Sequence, residues 1–342
     1  MTTKKVLHKM ALFEHYEEIL RRGCLDDAQR RLLLEGRPVA GVIVQQSGGS
    51  GGGEPLRLPR TQEEMSWLAA KLMQGYLTHY PMLPERTALV GGISHTVARE
   101  HIRISDMQIR DFAGDQFADL DVYDPDVISM YPSFAREIAA NPSLRLSRLK
   151  AIKLGGEPIL PWDLERLWDR FGPIPILEQF GSTEMPGLAF RTHTPSSDDP
   201  YEFSVDRFEF DFEENDGWQP LTVRDRFPRR AFPIESWYDT GDDVCLQQGT
   251  PMAFRRRDDT TSAIRNEIDA LLQDGCVNVQ LFPRESHVLC ARAPTRSSGT
   301  IRLGEQDFVP RVEPPYRLVD SHKMPLVIDT RKIDKSRLFR YA

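Results

Sequence analysis

Residues 149–184 read LKAIKLGGEPILPWDLERLWDRFGPIPILEQFGSTE, and the alternation inside this stretch decides the fold. Leu149–Leu154 reads as a strand, and Pro161–Phe171 reads as a helix. Pro161 fits the first helical turn, where a missing N–H costs nothing, and Gly172 fits the position just past the helix end. Ile174–Phe180 is the next strand. Strand–helix–strand alternation implies parallel strands with covering helices. Each strand runs into a turn of small residues with an acid: Gly155-Gly156-Glu157, then Gly181-Ser182-Thr183-Glu184. The carboxyl ends of parallel strands are where open α/β sheets hold ligands.

The same grammar extends outward. Residues 6–36 carry Leu12, Tyr16, Ile19 and Leu20, then Leu25, Ala28, Leu32 and Leu33, at helical spacing. Val39–Val44 is a strand candidate that runs into a glycine-rich loop, and Pro55–Pro59 reads as extended. Thr61 followed by Glu64 forms a capping box that announces a helix with Met65, Leu68, Leu72 and Tyr76 on its buried face. Thr87–Val90 and Asp126–Met130 are further strands, and a helix starts near Pro132-Ser133. From about Pro200 the texture changes. Phe203–Phe212 and Trp218–Arg224 alternate apolar and polar residues, as in an antiparallel sheet or distorted barrel. Arg255–Thr261 is charged and reads as a hinge, followed by a helix (Ile264, Ile268, Leu271, Leu272) and strands at Val277–Phe282 and His287–Ala291. The expected division is a core over 1–255 and a small α+β tail over 256–342, hinged near 256–259.

At 342 residues the chain has room for about two domains. A net charge of −7 argues against a nucleic-acid binder, which would show a basic stripe. Four cysteines at Cys24, Cys245, Cys276 and Cys290 lack metal-ligand spacing, which suits reduced thiols in the cytoplasm. Neither a signal peptide nor an apolar run of the roughly 20 residues that span a bilayer is visible, so no membrane partner is expected.

Four segments carry chemistry. In Ser47-Gly48-Gly49-Ser50-Gly51-Gly52-Gly53, backbone N–H groups and hydroxyls can converge on an anion. No lysine and helix follow as a P-loop requires, and a flexible linker is the plainer alternative. Gly155 and Gly156 allow a flat ring to approach the backbone, or simply form a β–α turn. Phe180 can stack on a ring, Thr183 can bond a phosphate, and Glu184 can hold magnesium; a helix cap by Ser182 or Thr183 is the alternative. In Tyr238-Asp239-Thr240-Gly241-Asp242, Asp242 suits the two hydroxyls of a ribose, and a hairpin turn is the alternative.

Taken in order, these segments resemble the adenylate-forming (ANL) superfamily, and most nearly its phenylacetate–CoA ligase-like branch. The resemblance covers most of residues 40–260 and returns near the end. It implies an ANL-type adenylation core with a mobile C-terminal lid. It also implies ATP-dependent activation of a carboxylic acid as an acyl- or aryl-adenylate, with pyrophosphate released. On this resemblance Ser47–Gly53 wrap the β- and γ-phosphates, Gly155, Gly156 and Glu157 line adenine, and Phe180 stacks on it. Gly181 and Ser182 also bind the nucleotide, Thr183 contacts the α-phosphate, Glu184 ligates magnesium, and Asp242 binds ribose. Arg256 becomes the ribose arginine and Asp258 the pivot, in a pattern that departs from the family by Arg255 in place of glycine. Lys323, in His322-Lys323-Met324-Pro325, is the lysine that reaches the substrate carboxylate, with Lys332 and Lys335 as rivals.

The acid pocket is expected around Ser94, His95, Tyr131, Met185 and Gly187, although His95 and Tyr131 also suit structural roles. ATP and Mg2+ are the implied cofactors. The implied acyl acceptors are coenzyme A, a carrier-protein thiol or an amine. The rival expectations are a catalytically reduced nucleotide- or carrier-binding protein and an unrelated nucleotidyltransferase.

Overall fold

The computed structural model describes residues 6–47, 56–91, 107–197, 199–213, 215–257, 264–290, 300–319, 321–329, 331, 333 and 335–341. At its centre lies a seven-stranded sheet in the order Glu202–Phe203, Ala189–His193, Ile176–Phe180, Ala151–Gly155, Val127–Met130, Arg86–Val90, Gln108–Phe112. The last five strands run parallel, and the first two are antiparallel additions. Ala151–Gly155 and Ile176–Phe180 are parallel neighbours joined through the helix Pro161–Phe171, as the opening stretch requires. Gly172 at φ +82° ends that helix in the left-handed region that glycine tolerates.

Two faces of the sheet are covered differently. On one, Ile128, Ile152, Leu154 and Ile176 pack with Phe134 and Ile138 of the helix Pro132–Ala140 and with Leu167. On the other, Tyr76 of the helix Gln62–Leu77 packs with Val127, Ala151 and Leu177. Gln108–Phe112 escapes sequence reading because it is an edge strand with one neighbour, and its residues QIRDF carry no buried run.

The second sheet is antiparallel. Its long strand Trp237–Gln247 lies between Gly217–Asp225 and Thr250–Arg256, and Val6–Leu7 pairs parallel to its start. The segment Tyr238–Asp243 forms no hairpin turn, which corrects that alternative. It runs inside one strand, where Asp243 faces Pro220 and Asp239 faces Thr222, so Thr240, Gly241 and Asp242 are extruded as a bulge. Gly241 at φ +77° permits the extrusion. Residues 6–36 break into Val6–Leu7 and three helices, Lys9–Glu14, Tyr16–Arg22 and Asp27–Leu34. The last helix restarts because Asp26 and Gln29 cap it reciprocally.

The C-terminal residues form a four-stranded sheet (Val279–Phe282, His287–Cys290, Gln306–Val312, Ile301–Leu303) backed by the helix Arg265–Gln273. Its apolar cluster closes over Leu160 and Trp162 of the central unit. No helix among the described residues is long and apolar enough to cross a membrane.

One buried ionic group joins the two large sheets. Glu64 Oε1 accepts from Arg60 at 3.1 Å and from Arg207 at 3.4 Å, while Oε2 accepts from the backbone of Thr61 and Ala231. Arg207 in turn holds Asp225 through two bonds of 3.1 and 2.8 Å. Glu64, Arg60 and Arg207 are all at most 2% exposed. Removing one member leaves an uncompensated buried charge, which costs about 3–5 kcal/mol. Glu64→Ala therefore lowers the urea midpoint with a stability loss of that size. A loss below about 1 kcal/mol in the same denaturation series would show that the two arginines find other partners.

Candidate active site

Gly181 makes the first turn of the site possible. With φ +154°, a Cβ there would lie 2.8 Å from both Gly187 N and Met185 O. Ser182 N donates to Met185 O at 3.1 Å, and Met185 N donates to Ser182 Oγ at 3.2 Å, so residues 182–185 form a tight loop. No helix follows; the chain proceeds to the strand Ala189–His193, which removes the cap alternative for Ser182 and Thr183. Arg60 donates to the carbonyls of Thr183 at 2.6 Å and Glu184 at 2.7 Å, fixing the loop from below.

Glu184 is 4% exposed and pairs with Lys9 Nζ at 3.1 Å. Burial pushes its pKa up, but the Lys9 ammonium and the Ser182 hydroxyl outweigh burial and hold it below the usual carboxylate value. Sequence reading missed Lys9, and nothing in its local pattern distinguishes it from a solvated helix lysine.

The tail returns to the same place. Met324 N donates to Glu157 Oε1 at 2.6 Å, and the other bonds of Glu157 come from Ser133 N and Oγ at 3.0 and 3.1 Å. Glu157 thus ties the residue beside Lys323 to the Gly-Gly turn. Arg317, 1% exposed, inserts beneath it: the guanidinium lies 3.7 Å from the Phe134 ring centroid and donates to Ser133 Oγ, Glu137 and His322 O. Lys323 Nζ lies 5.8 Å from the Tyr131 ring centroid, and its Cε is 3.2 Å from where a Cβ on Gly156 would sit. Gly156 takes φ +81°, so its bare backbone admits both Tyr131 and Lys323. Burial lowers the Lys323 pKa; Glu157 and Glu184 raise it, and Lys9 and Arg256 push it down again. Five charged groups from distant parts of the chain therefore share one electrostatic neighbourhood.

Asp242 sits in the bulge opposite Arg256, its partner in the strand register. Arg257 grips the bulge from outside, bonding Asp239 at 2.9 and 3.1 Å and Asp243 at 2.9 Å. Tyr238 connects this group to Glu184: burial raises its pKa, and Glu184 and then Asp242 raise it further. Phe180 lies flat on Phe254, with centroids 3.7 Å apart and planes at 6°, so one of its two faces is already covered. Ser47 uses its hydroxyl to accept from Leu56 N at 2.8 Å and closes the neck of the glycine loop. Met185 is fully buried among Leu58, Leu188 and Phe208, and Gly187 packs against Leu68 and Trp67. Tyr131 is buried on Phe134. Gly48–Gly53, Ser94, His95, Asp258 and Lys332 lie outside the described residues, and Lys335 starts a 3-10 turn.

The structure resembles solved acid–CoA ligases. One is the anthranilate CoA ligase AuaEII in complex with anthranoyl-AMP, with a TM-score of 0.58 at 13% identity over 82% of this chain and 65% of that one. Another is o-succinylbenzoate coenzyme A synthetase (MenE) from Bacillus subtilis in complex with AMP, at TM-score 0.53 and 17% identity over 82% and 67%. A third is a benzoate CoA ligase from Burkholderia xenovorans LB400, at TM-score 0.53 and 15% identity over 79% and 65%. No family model and no curated protein matches the chain. The chain spans about two thirds of the length of these solved ligases. At such identities the likeness carries the fold, which is the mixed α/β architecture of these ligases.

The link between Glu157 and the tail is directly measurable. Losing a hydrogen bond to a charged acceptor costs about 1.5–3 kcal/mol. In Glu157→Ala, native-state exchange of the Met324 amide proton accelerates by roughly tenfold or more. Unchanged exchange at that proton would show that Arg317 alone seats the tail.

Proposed function

We propose that this protein activates a carboxylic acid with ATP, forming an acyl- or aryl-adenylate and releasing pyrophosphate, and then passes the acyl group to a thiol or amine. The observation that carries the reading is that Lys323 reaches the Gly155–Gly156 turn and shares one electrostatic neighbourhood with Glu157, Glu184 and Arg256. The phenylacetate–CoA ligase-like order of its motifs supports the finer placement, and coenzyme A or a carrier-protein thiol is the acceptor that order suggests.

The chemistry follows from a leaving-group problem. A carboxylate cannot expel oxide. Its oxygen instead attacks the α-phosphorus of ATP, the bond to the bridging oxygen breaks, and pyrophosphate leaves with the electron pair. The acceptor then attacks the acyl carbon, AMP departs, and the thiol or amine loses its proton. The protein contributes positioning and charge. Lys323 neutralises the acid carboxylate and the α-phosphate, Thr183 donates to that phosphate, and Asp242 accepts from the ribose hydroxyls. Arg256 supports the ribose side, and the backbone of Gly155 and Gly156 receives the adenine. Phe180 offers that ring its uncovered face. The glycine loop closed by Ser47 and Leu56 surrounds the outer phosphates. Ser94 and His95 join Tyr131 around the acid, with Met185 and Gly187 behind. Residues 256–259, with Asp258 as pivot, form the hinge of the tail.

Magnesium fits this site. It is ordinarily held by one or two carboxylates together with substrate phosphates, and Glu184 is a buried carboxylate kept ionised. When bound, the ion neutralises charge that develops on the phosphates. Lys9 already balances Glu184 at 3.1 Å, and this pair favours a second reading, a nucleotide-binding protein with reduced turnover.

Acid-dependent exchange of labelled pyrophosphate into ATP separates the two readings. The active enzyme exchanges with at least one acid in a panel, and Glu184→Gln and Lys323→Ala each reduce the rate by about 100-fold or more. Nucleotide binding without exchange for any acid supports the second reading. The exchange also has a pH signature. Cationic Lys323 is the working form and its pKa is depressed, so kcat/KM falls as pH rises through a midpoint below the ordinary lysine value of about 10.4.

A further inference from the structure

The strand Ala151–Gly155 is Ala-Ile-Lys-Leu-Gly, and Lys153 is its one charged residue. Parallel strands covered on both faces carry near-continuous apolar runs, so a lysine at the middle of one is out of place. Its strand register puts it beside Ser129 on one neighbour and Leu177 on the other. Leu177 lies 3.5 Å from the Cβ position of Gly75, so this is the sheet face that the helix Gln62–Leu77 covers. Val127 and Ala151, toward the amino ends of the strands, join Tyr76 and Leu177 in an apolar cluster on this face.

The side chain turns upward instead. Lys153 Nζ lies 3.5 Å from where a Cβ on Gly155 would stand, and Lys323 Cε lies 3.2 Å from the equivalent point on Gly156. Two lysines, one from the sheet and one from the tail, reach adjacent glycines of the same turn. Burial, with Lys323 adding its repulsion, brings Lys153 down to about 8. Among the described residues no carboxylate offsets that shift. Recessed ammonium groups without a counter-charge are costly, and a ligand that supplies the missing anion accounts for retaining one.

We propose that Lys153 receives a second anionic group on the acid substrate while Lys323 engages the carboxylate that reacts, so the preferred substrates are compact diacids. This rests on the adenylation reading. The two lysines meet at one turn and are close enough to repel each other, so they serve two acidic groups of one small molecule rather than the ends of a long chain.

The test compares matched pairs in the pyrophosphate-exchange assay: benzoate with phthalate, and butyrate with succinate. The proposal expects kcat/KM for the diacid to exceed that for the monoacid by tenfold or more in at least one pair. It expects Lys153→Met to reduce that ratio by at least tenfold and Lys153→Arg to restore part of it. An unfolding midpoint for Lys153→Met at or above that of the parent protein confirms folding, because a buried charge has been removed. An equal loss for both members of a pair would overturn the proposal, since Lys153 would then serve the reacting carboxylate or the nucleotide. Equal rates for diacid and monoacid in the parent protein would also overturn it while leaving adenylation intact. Absence of exchange with every acid would instead remove the adenylation reading itself.

Discussion

The site depends on a charge cluster that touches no substrate. Glu64 sits between Arg60 and Arg207, Asp225 pairs with Arg207, and Arg230 adds a third cation beside both acids. Removing any member of such a network leaves a buried charge uncompensated, so the members hold one another in a single arrangement. Here the fixed arrangement matters because the free edge of Arg60 holds the carbonyls of Thr183 and Glu184. The helix Gln62–Leu77, the antiparallel sheet and the site loop are therefore locked to one another at one point. Arg207 is further enclosed by the rings of Trp67, Phe208 and Phe227, each within about 5 Å of its guanidinium carbon.

A second clamp seats the tail. Arg317 enters the amino end of the helix Pro132–Ala140, and Glu157 bonds both Ser133 and Met324. Between the two clamps lie Glu184 and Lys323, charges whose burial is tolerable only because their neighbours are placed first. The same arrangement leaves Lys153 recessed and lowered to about 8, in a strand that is otherwise apolar. Preorganised charge of this type acts without reorganising during reaction, which is the general source of electrostatic catalysis.

Much of this was legible in the residues themselves. The helix Pro161–Phe171 and the capped start at Thr61 are set by local rules, namely proline at the first turn, glycine after the last and a reciprocal cap, and all of them appear. The parallel strands beside them follow from short apolar runs. The tight turn at Gly181 was legible as a small-residue turn at a strand end, and the absence of a helix after it was not. What stayed hidden depends on tertiary neighbours. The edge strand Gln108–Phe112 has no buried run to reveal it, and the bulge at Thr240–Asp242 appears only against the register of Gly217–Asp225. Glu64 read as half of a capping box, and its two arginines, at positions 60 and 207, lie too far apart in sequence to suggest a cluster. Lys153 shows in the sequence only as a charge inside an otherwise apolar strand, two residues before Gly155.

The central claim is that the bulge carrying Asp242 and the Gly155–Gly156 turn face one nucleotide. Calorimetric titration of ATP into the parent protein and into Asp242→Ala tests it most directly, without requiring turnover or knowledge of the acid. Loss of a carboxylate that accepts two ribose hydroxyls weakens binding by about tenfold or more, since each bond to a charged acceptor contributes about 1.5–3 kcal/mol. Equal affinity in the two proteins would contradict the account and place the nucleotide elsewhere.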